Sequence, residues 1–480
     1  MQPCSAEKKT LMVKPPLTES RVLRPKDSNP ADSPSKHSPE LYLPVKKAEA
    51  IVIDTGSESS KAGFAGQATP LSIVKTVVGY PLEKSLDSGD IRDTHFVGQL
   101  ALDEPHLRII EPIKQGMITD WDAAETLWRH ILDHELKASP EEHAILLTDP
   151  PLNPPTNREK MSEVLFESMN CPCLCVAYQS VLSAYSYGKI SGMVVECGHG
   201  MTYTAPVFQG HNVLNATERM GASGAELTES LMKMLFRFQH VFAENIKDIM
   251  ENIKRECCYV ALDYEKEMNR PEDDYLHDFQ LPDGKIITIG KERFQCPEAL
   301  FSPAEEDGDS HVGIHKMAQN SLNRVPEESK KAISSNILLC GGSTLFEGFY
   351  ERLSQEFQQW QPHQFETNVI SVPERKYSAW IGGSILASLK AFQSCWVHQQ
   401  QYKEYGPSII HRLLIGSVRR GLPLVETTSP EAEEPRPRAL LMFGNVARRL
   451  LFTTGPSYDK LVLGEDDEIG EIRSLYYNRF

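Results

Sequence analysis

Short apolar runs that end at a turn recur along the chain: Ile51-Val52-Ile53-Asp54, Ala144–Leu147, Leu174–Ala177, Met193–Val195, Ile286–Ile289 and Asn336–Leu339. Brief runs of this kind, bounded by turn residues, read as buried strands. Between them, apolar residues return at helical spacing over Ala123–Leu136, Asn157–Met169, Glu226–Phe238 and Ala379–Phe392. Strands alternating with helices predict an α/β architecture. The pattern begins at Ala48 and fades past Arg412. Residues 1–47 are rich in Pro, Ser and Lys with almost no apolar periodicity, which predicts a disordered extension. Within it, Ser33-Pro34 and Ser38-Pro39 suit proline-directed phosphorylation or are plain polar linker. Residues 413–480 hold a Pro- and Glu-rich stretch, then Ala439–Phe452, then the acidic run Glu465–Glu471. The middle piece reads either as an amphipathic helix for a partner or a membrane surface, or as an apolar extension without such a role.

Composition narrows the function. Fifty Lys plus Arg against 66 Asp plus Glu give a formal charge of −16 in 480 residues. That sign argues against general nucleic-acid or anionic-membrane binding. No apolar stretch approaches the roughly 18 residues of a spanning helix, and the polar N-terminus carries no signal-peptide pattern. Ten cysteines in a chain this long read as reduced, intracellular thiols. Cys171, Cys173 and Cys175 alternate, so on a strand they would share one face as core rather than hold a metal. His130 and His134, four apart on a predicted helix, read as a solvated face before a metal grip.

The chemistry lies in a duplication. Val52-Ile53-Asp54-Thr55-Gly56 and Val194-Val195-Glu196-Cys197-Gly198 share one plan: two β-residues, an acid, a small residue, then glycine. Glycine lets backbone approach a phosphate closely, and successive N–H groups in such a turn form an anion nest. The acid cannot touch phosphate but can hold a hydrated Mg²⁺ that neutralises it. Lys61, a few residues on, reaches toward the same phosphates. A third glycine element, Cys340-Gly341-Gly342-Ser343-Thr344, follows another apolar run and suits an adenine and ribose packed on bare backbone. One glycine after a strand usually marks only a turn. Three such elements, two of them matched, predict a nucleotide cleft between two lobes.

Longer stretches resemble the actin family. Lys61-Ala62-Gly63-Phe64-Ala65-Gly66, Cys258-Tyr259-Val260-Ala261-Leu262-Asp263, Arg293-Phe294-Gln295-Cys296-Pro297-Glu298, Trp380-Ile381-Gly382-Gly383-Ser384 and Gly406-Pro407-Ser408-Ile409-Ile410-His411-Arg412 carry the resemblance from about Ala48 to Arg412. Thr217-Glu218-Arg219, Leu339–Ser343 and Ala391–Val397 look most like its male-germ-cell actin-like members. The resemblance implies an α/β actin-like fold of two lobes with duplicated ribonuclease-H-like domains, each with a smaller subdomain. It places the first lobe at 48–186 plus 378–412, with a small subdomain at about 76–111. The second lobe falls at 187–377, with a small subdomain at about 223–310. It also implies ATP or ADP with Mg²⁺ in the cleft. Asp54, Gly56, Ser57 and Lys61 match the first phosphate loop, with Asp54 toward the metal through water. Gln179 matches the residue that orients the attacking water. Glu196, Gly198, His199 and Gly200 fall on the second loop. Gly224 matches a glycine near the ribose, Lys254 a cleft lysine, Gly342 and Thr344 the adenosine loop, and Lys376 a lysine near the adenine.

The departures point away from catalysis. Glu196 and His199 stand where conventional actin has aspartates, Tyr203 where it has a histidine near the water, and Arg255 where it has an acid near the ribose or base. Phosphoryl transfer rests on positioning and electrostatics, so these changes predict slow or absent hydrolysis. Where actin has an apolar plug for filament packing, Ala304-Glu305-Glu306-Asp307-Gly308-Asp309-Ser310 would bury carboxylates, and the loop at about Tyr80–Thr94 differs throughout. The expectation is a non-enzymatic cytoskeletal protein of the cytoplasm that does not self-polymerise. The resemblance implies partners among cytoskeletal, perinuclear theca and other actin-like proteins, with a place in the perinuclear theca and acrosome attachment of sperm. A slow ATPase that cycles conformationally and a nuclear actin-related subunit of a chromatin complex are the competing readings.

Overall fold

The computed structural model describes residues 49–82, 95–236, 246–303, 312–360 and 365–413, which belong to the unit starting at Ala48. The expectations for 1–47 with Ser33 and Ser38, for 83–94, for the acidic segment 304–310 and for the tail past 413 lie outside these residues.

The matched turns are each flanked by a strand pair. β1 (Ile51–Thr55) turns into β2 (Ser59–Phe64), which pairs antiparallel with it and with β3 (Ser72–Lys75). β4 (Ile145–Asp149) lies parallel to β1, and β5 (Cys173–Tyr178) parallel to β4. The plan repeats with β6 (Gly192–Cys197), whose antiparallel partner β7 (Thr202–Phe208) also pairs with β8 (His211–Asn212) and β9 (Glu218–Met220). Parallel strands β10 (Ile337–Cys340) and β11 (Val369–Ile370) extend that sheet, and β12 (Val397–His398) returns to the edge of the first beside β5. The resulting orders are β12-β5-β4-β1-β2-β3 and β8-β7-β6-β10-β11, with β9 on β7.

Both sheets are buried on two faces, and the alternation of side chains shows it. Ile51 and Ile53 enter one core while Val52 enters another with Leu146, Trp380 and Phe392. Met193, Val195 and Leu339 face a third core, whereas Val194 and Leu338 join Ile51 and Ile53. That shared core ties the two sheets together. Cys173 and Cys175 do share a face of β5 with Cys395, but Cys171 precedes the strand and packs in the shared core.

The helices pack on these sheets. α1 (Trp121–His130) is capped by Asp120, whose carboxylate accepts from the Ala123 amide at 3.0 Å. It runs on into a wide final turn at Ile131–Glu135, where His130 and His134 lie 5.1 Å apart ring to ring. No group of three candidate ligands is assembled there or elsewhere among the described residues. α2 (Pro155–Glu163) sets Arg158 against the fully buried Asp149 at 2.6 Å, an ion pair further satisfied by Asn153. α3 (Gln179–Ser186), α4 (Gly224–Met234) and α5 (Ile246–Cys257) carry residues toward the turns. α6 (Ser378–Ser388) packs on α3 with glycine at the contact. Among the described residues, no helix is long and apolar enough to cross a membrane.

Candidate functional site

Strand register builds the site. Antiparallel pairing sets Asp54 opposite Lys61 and Glu196 opposite Tyr203. Parallel pairing sets Glu196 beside Cys340, so the third glycine element begins next to the second turn. Gly341 there has φ +86°, and a Cβ on it would lie 2.3 Å from the Cys197 carbonyl and 2.7 Å from Glu196 Oε1. Only glycine fits that conformation and that gap.

The two matched turns meet. A Cβ on Gly200 would lie 2.2 Å from Ser57 Oγ, and Ser57 Oγ accepts from the Gly116 amide at 3.2 Å. Gly56 is closed by its amide donating to Ser59 O at 3.2 Å and by Thr76 Oγ1 donating to its carbonyl at 2.7 Å. Gly198 forms the same closure, its amide donating to Met201 O at 2.9 Å. Gly224, at the start of α4, donates its amide to Gly198 O at 2.9 Å, and a Cβ there would meet the His199 backbone and Ser343 Oγ at 3.0 Å. Gly342 and Thr344 follow Gly341 in one short turn. Arg375 binds both Thr344 oxygens at 2.9 Å, which brings Lys376 to the same corner, its ammonium over the Tyr377 ring.

The charges are arranged tightly. Asp54 is buried. Its Oδ1 accepts from Thr148 at 2.6 Å and from the Gln179 amide at 3.1 Å, while its Oδ2 lies 3.7 Å from Lys61 Nζ. Burial pushes the neighbouring Glu196 carboxyl up to about 8, with Asp54 reinforcing and Lys61 opposing. Tyr203 is buried with its phenol oxygen unpartnered among the described residues, and burial and then Glu196 push it well above the usual phenol range. Burial holds the His199 imidazole below its ordinary value, Lys254 lowers it further, and Glu251 at 3.6 Å opposes. His199 is therefore neutral near pH 7. Lys254 is buried and already engaged by Gly224 O and Thr228 at 2.6 Å and by Glu251 at 2.9 Å.

The residue set fits a nucleotide with a divalent cation. Asp54 and the neighbouring Glu196 carboxyl, which a bound cation would hold deprotonated, offer the hard oxygens such a cation takes, and the glycine turns leave backbone within reach of phosphate. Through these contacts the structure brings Asp54, Gly56, Ser57, Lys61, Gln179, Glu196, Gly198, His199, Gly200 and Gly224 into one cluster, with Gly342 and Thr344 following Gly341 and Lys376 beside Arg375. Glu58, Glu251 and Arg375 also belong to it, and motif reading passed over them. Glu58 lies inside the first turn, so its position was visible, but its partner Arg255 is 197 residues away.

The Glu196 shift has a testable sign. A carboxyl raised on folding contributes stability that is whole below its unfolded value of about 4.5 and is lost as pH rises through its folded value of about 8. In nucleotide-free buffer with chelator, Glu196→Gln should match wild type near pH 4.5. It should gain on wild type up to pH 8.5, by on the order of 2 kcal/mol after allowance for partial exposure. Parallel urea-melt curves across that range would contradict this.

A sequence profile of the family described as Actin matches residues 45–414. Actin-like protein 9 of Homo sapiens is 48% identical over 366 residues, 76% of this chain and 88% of its own length. Actin-like protein 9 of Bos taurus is 47% identical over 399 residues, 83% of this chain and 95% of its own. Actin-like protein 7A of Rattus norvegicus is 42% identical over 380 residues, 79% and 85% respectively.

Proposed function

This chain belongs to the actin family, and from that premise we propose that it is a non-enzymatic cytoskeletal protein whose cleft binds ATP or ADP with Mg²⁺ but does not turn it over. The observation that carries the reading is the chemistry of the second turn. His199 is a neutral imidazole directed at Glu251, and Tyr203 is a buried neutral phenol. Neither offers an anionic acceptor beside the phosphates.

Asp54 and Glu196 would hold the cation, which when bound supplies charge neutralisation at the phosphates. Gly56, Ser57, Gly198, His199 and Gly200 would line the phosphates, with Lys61, held beside Asp54 and Ser59 O, as their cation. Gly224, Gly342, Thr344 and Lys376 would flank the nucleoside, and Lys254 would shape that wall through Gly224 and Thr228. The lobes divide as the resemblance implies, at 186/187 and 377/378. The body acts as a docking platform for other cytoskeletal and actin-like proteins. Its resemblance to male-germ-cell members supports a place in the cytoplasmic perinuclear theca and at the acrosome of sperm.

Self-assembly into an actin-type filament is not part of this role, because the resemblance sets the acidic Glu305, Glu306 and Asp307 where actin packs an apolar plug, and burying charge there is costly. High-speed sedimentation with ATP and Mg²⁺ should leave the purified chain in the supernatant. Pelleting of most of it would overturn that point. One contact favours a slow ATPase instead: Gln179, 3.1 Å from Asp54, keeps its amide beside the cation corner.

A further inference from the structure

The first turn contains a carboxylate that phosphate binding does not call for. Glu58 follows Ser57, and its Oε1 accepts from Arg255 Nη2 of α5 at 2.9 Å. Arg255 also lies 3.6 Å from Glu251 Oε2, and the other oxygen of Glu251 is 3.6 Å from His199 Nδ1. One line of charge thus runs from the first turn through α5 to the second. The Lys61 ammonium overhangs the same turn: it donates to Ser59 O at 3.0 Å, and a Cβ on Gly56 would come within 3.2 Å of it.

Burial would raise Glu58, yet its bond to Ser59 and the charges of Arg255 and Lys61 bring it below the usual carboxylate range. These are the donors a phosphate would use: a guanidinium, an ammonium and a turn hydroxyl. Glu58 and a phosphate seated on Gly56-Ser57 would therefore be like charges drawing on one set of cations.

We infer that Glu58 is a tethered anion that competes with the terminal phosphate of a nucleotide for Lys61 and Arg255, so that the cleft disfavours triphosphates relative to diphosphates. The inference rests on the reading of this cleft as a nucleotide site. Each added phosphate charge meets the fixed carboxylate, so the penalty grows from diphosphate to triphosphate. Glu58→Gln keeps the size of the side chain and removes the charge, whereas Glu58→Asp keeps the charge.

The test titrates MgATP and MgADP calorimetrically into the full chain as wild type, Glu58→Gln and Glu58→Asp. Glu58→Gln should tighten MgATP about tenfold and MgADP by clearly less, with Glu58→Asp within about twofold of wild type. An unchanged MgATP affinity in Glu58→Gln, or equal gains for the two nucleotides, overturns the inference and leaves the nucleotide site standing. Absence of binding of either nucleotide to all three proteins removes the nucleotide site and the inference with it.

Discussion

Gly382→Ala should cost the body a large part of its stability. A Cβ at this position would lie 1.8 Å from the Leu182 carbonyl oxygen, 2.4 Å from its carbon and 2.9 Å from its Cα. All three atoms are backbone of α3, so no rotamer can give way. The helices must separate, and α6 carries Trp380, which is fully buried and donates its indole N–H to Val52 O at 3.0 Å. Separation therefore disturbs the strand that ends in Asp54. Overpacking a core costs about 1–3 kcal/mol when side chains can shift. A clash with fixed backbone belongs at or above the top of that range, against a total of roughly 5–15 kcal/mol for a typical domain. Gly383→Ala is the internal comparison. Its Cβ would meet Val52 Cγ1 at 2.8 Å, a side-chain atom rather than backbone. Urea midpoints should fall far for Gly382→Ala, or soluble protein should be lost, and the midpoint should fall less for Gly383→Ala. A wild-type midpoint for Gly382→Ala would refute the packing described.

Much of this architecture is legible locally. The six apolar runs all became strands; five lie in the two large sheets, and Ile286–Ile289 forms a two-stranded hairpin with Ile286 exposed. The helix expected over Ala123–Leu136 is continuous, although its last turn widens after His130. The helix expected over Ala379–Phe392 stops earlier, since Leu389 adopts extended backbone and a tighter turn follows at Lys390–Cys395. The matched turns were readable because acid and glycine lie within one short segment.

What was not readable is pairing at long range. Nothing near Glu196 announces Cys340 as its neighbour, and nothing near Glu58 announces Arg255. His199 was visible as an imidazole, but its orientation toward Glu251 depends on α5. Lys254 looked like a ligand-facing lysine, yet its ammonium is spent on Gly224, Thr228 and Glu251, contacts that only packing reveals.

The same contacts decide how much chemistry the cleft supports, and here the expected effect is larger than any on stability. An attacking water needs an acceptor for its proton and a fixed field around the phosphates. Tyr203, held well above the usual phenol range, stays protonated and accepts nothing. His199 faces Glu251 through Nδ1 at 3.6 Å, and Glu58 adds negative charge where negative charge must build. Gln179 remains as an orienting group, with its amide nitrogen already donating to Asp54 and Thr148.

The central claim, that this actin-family body holds nucleotide without consuming it, is tested most directly by phosphate release from radiolabelled MgATP under single-turnover conditions. Wild type and Gln179→Ala should release phosphate at the same rate, indistinguishable from MgATP alone. Release from wild type that exceeds this background and is abolished by Gln179→Ala would show a working ATPase and contradict the account.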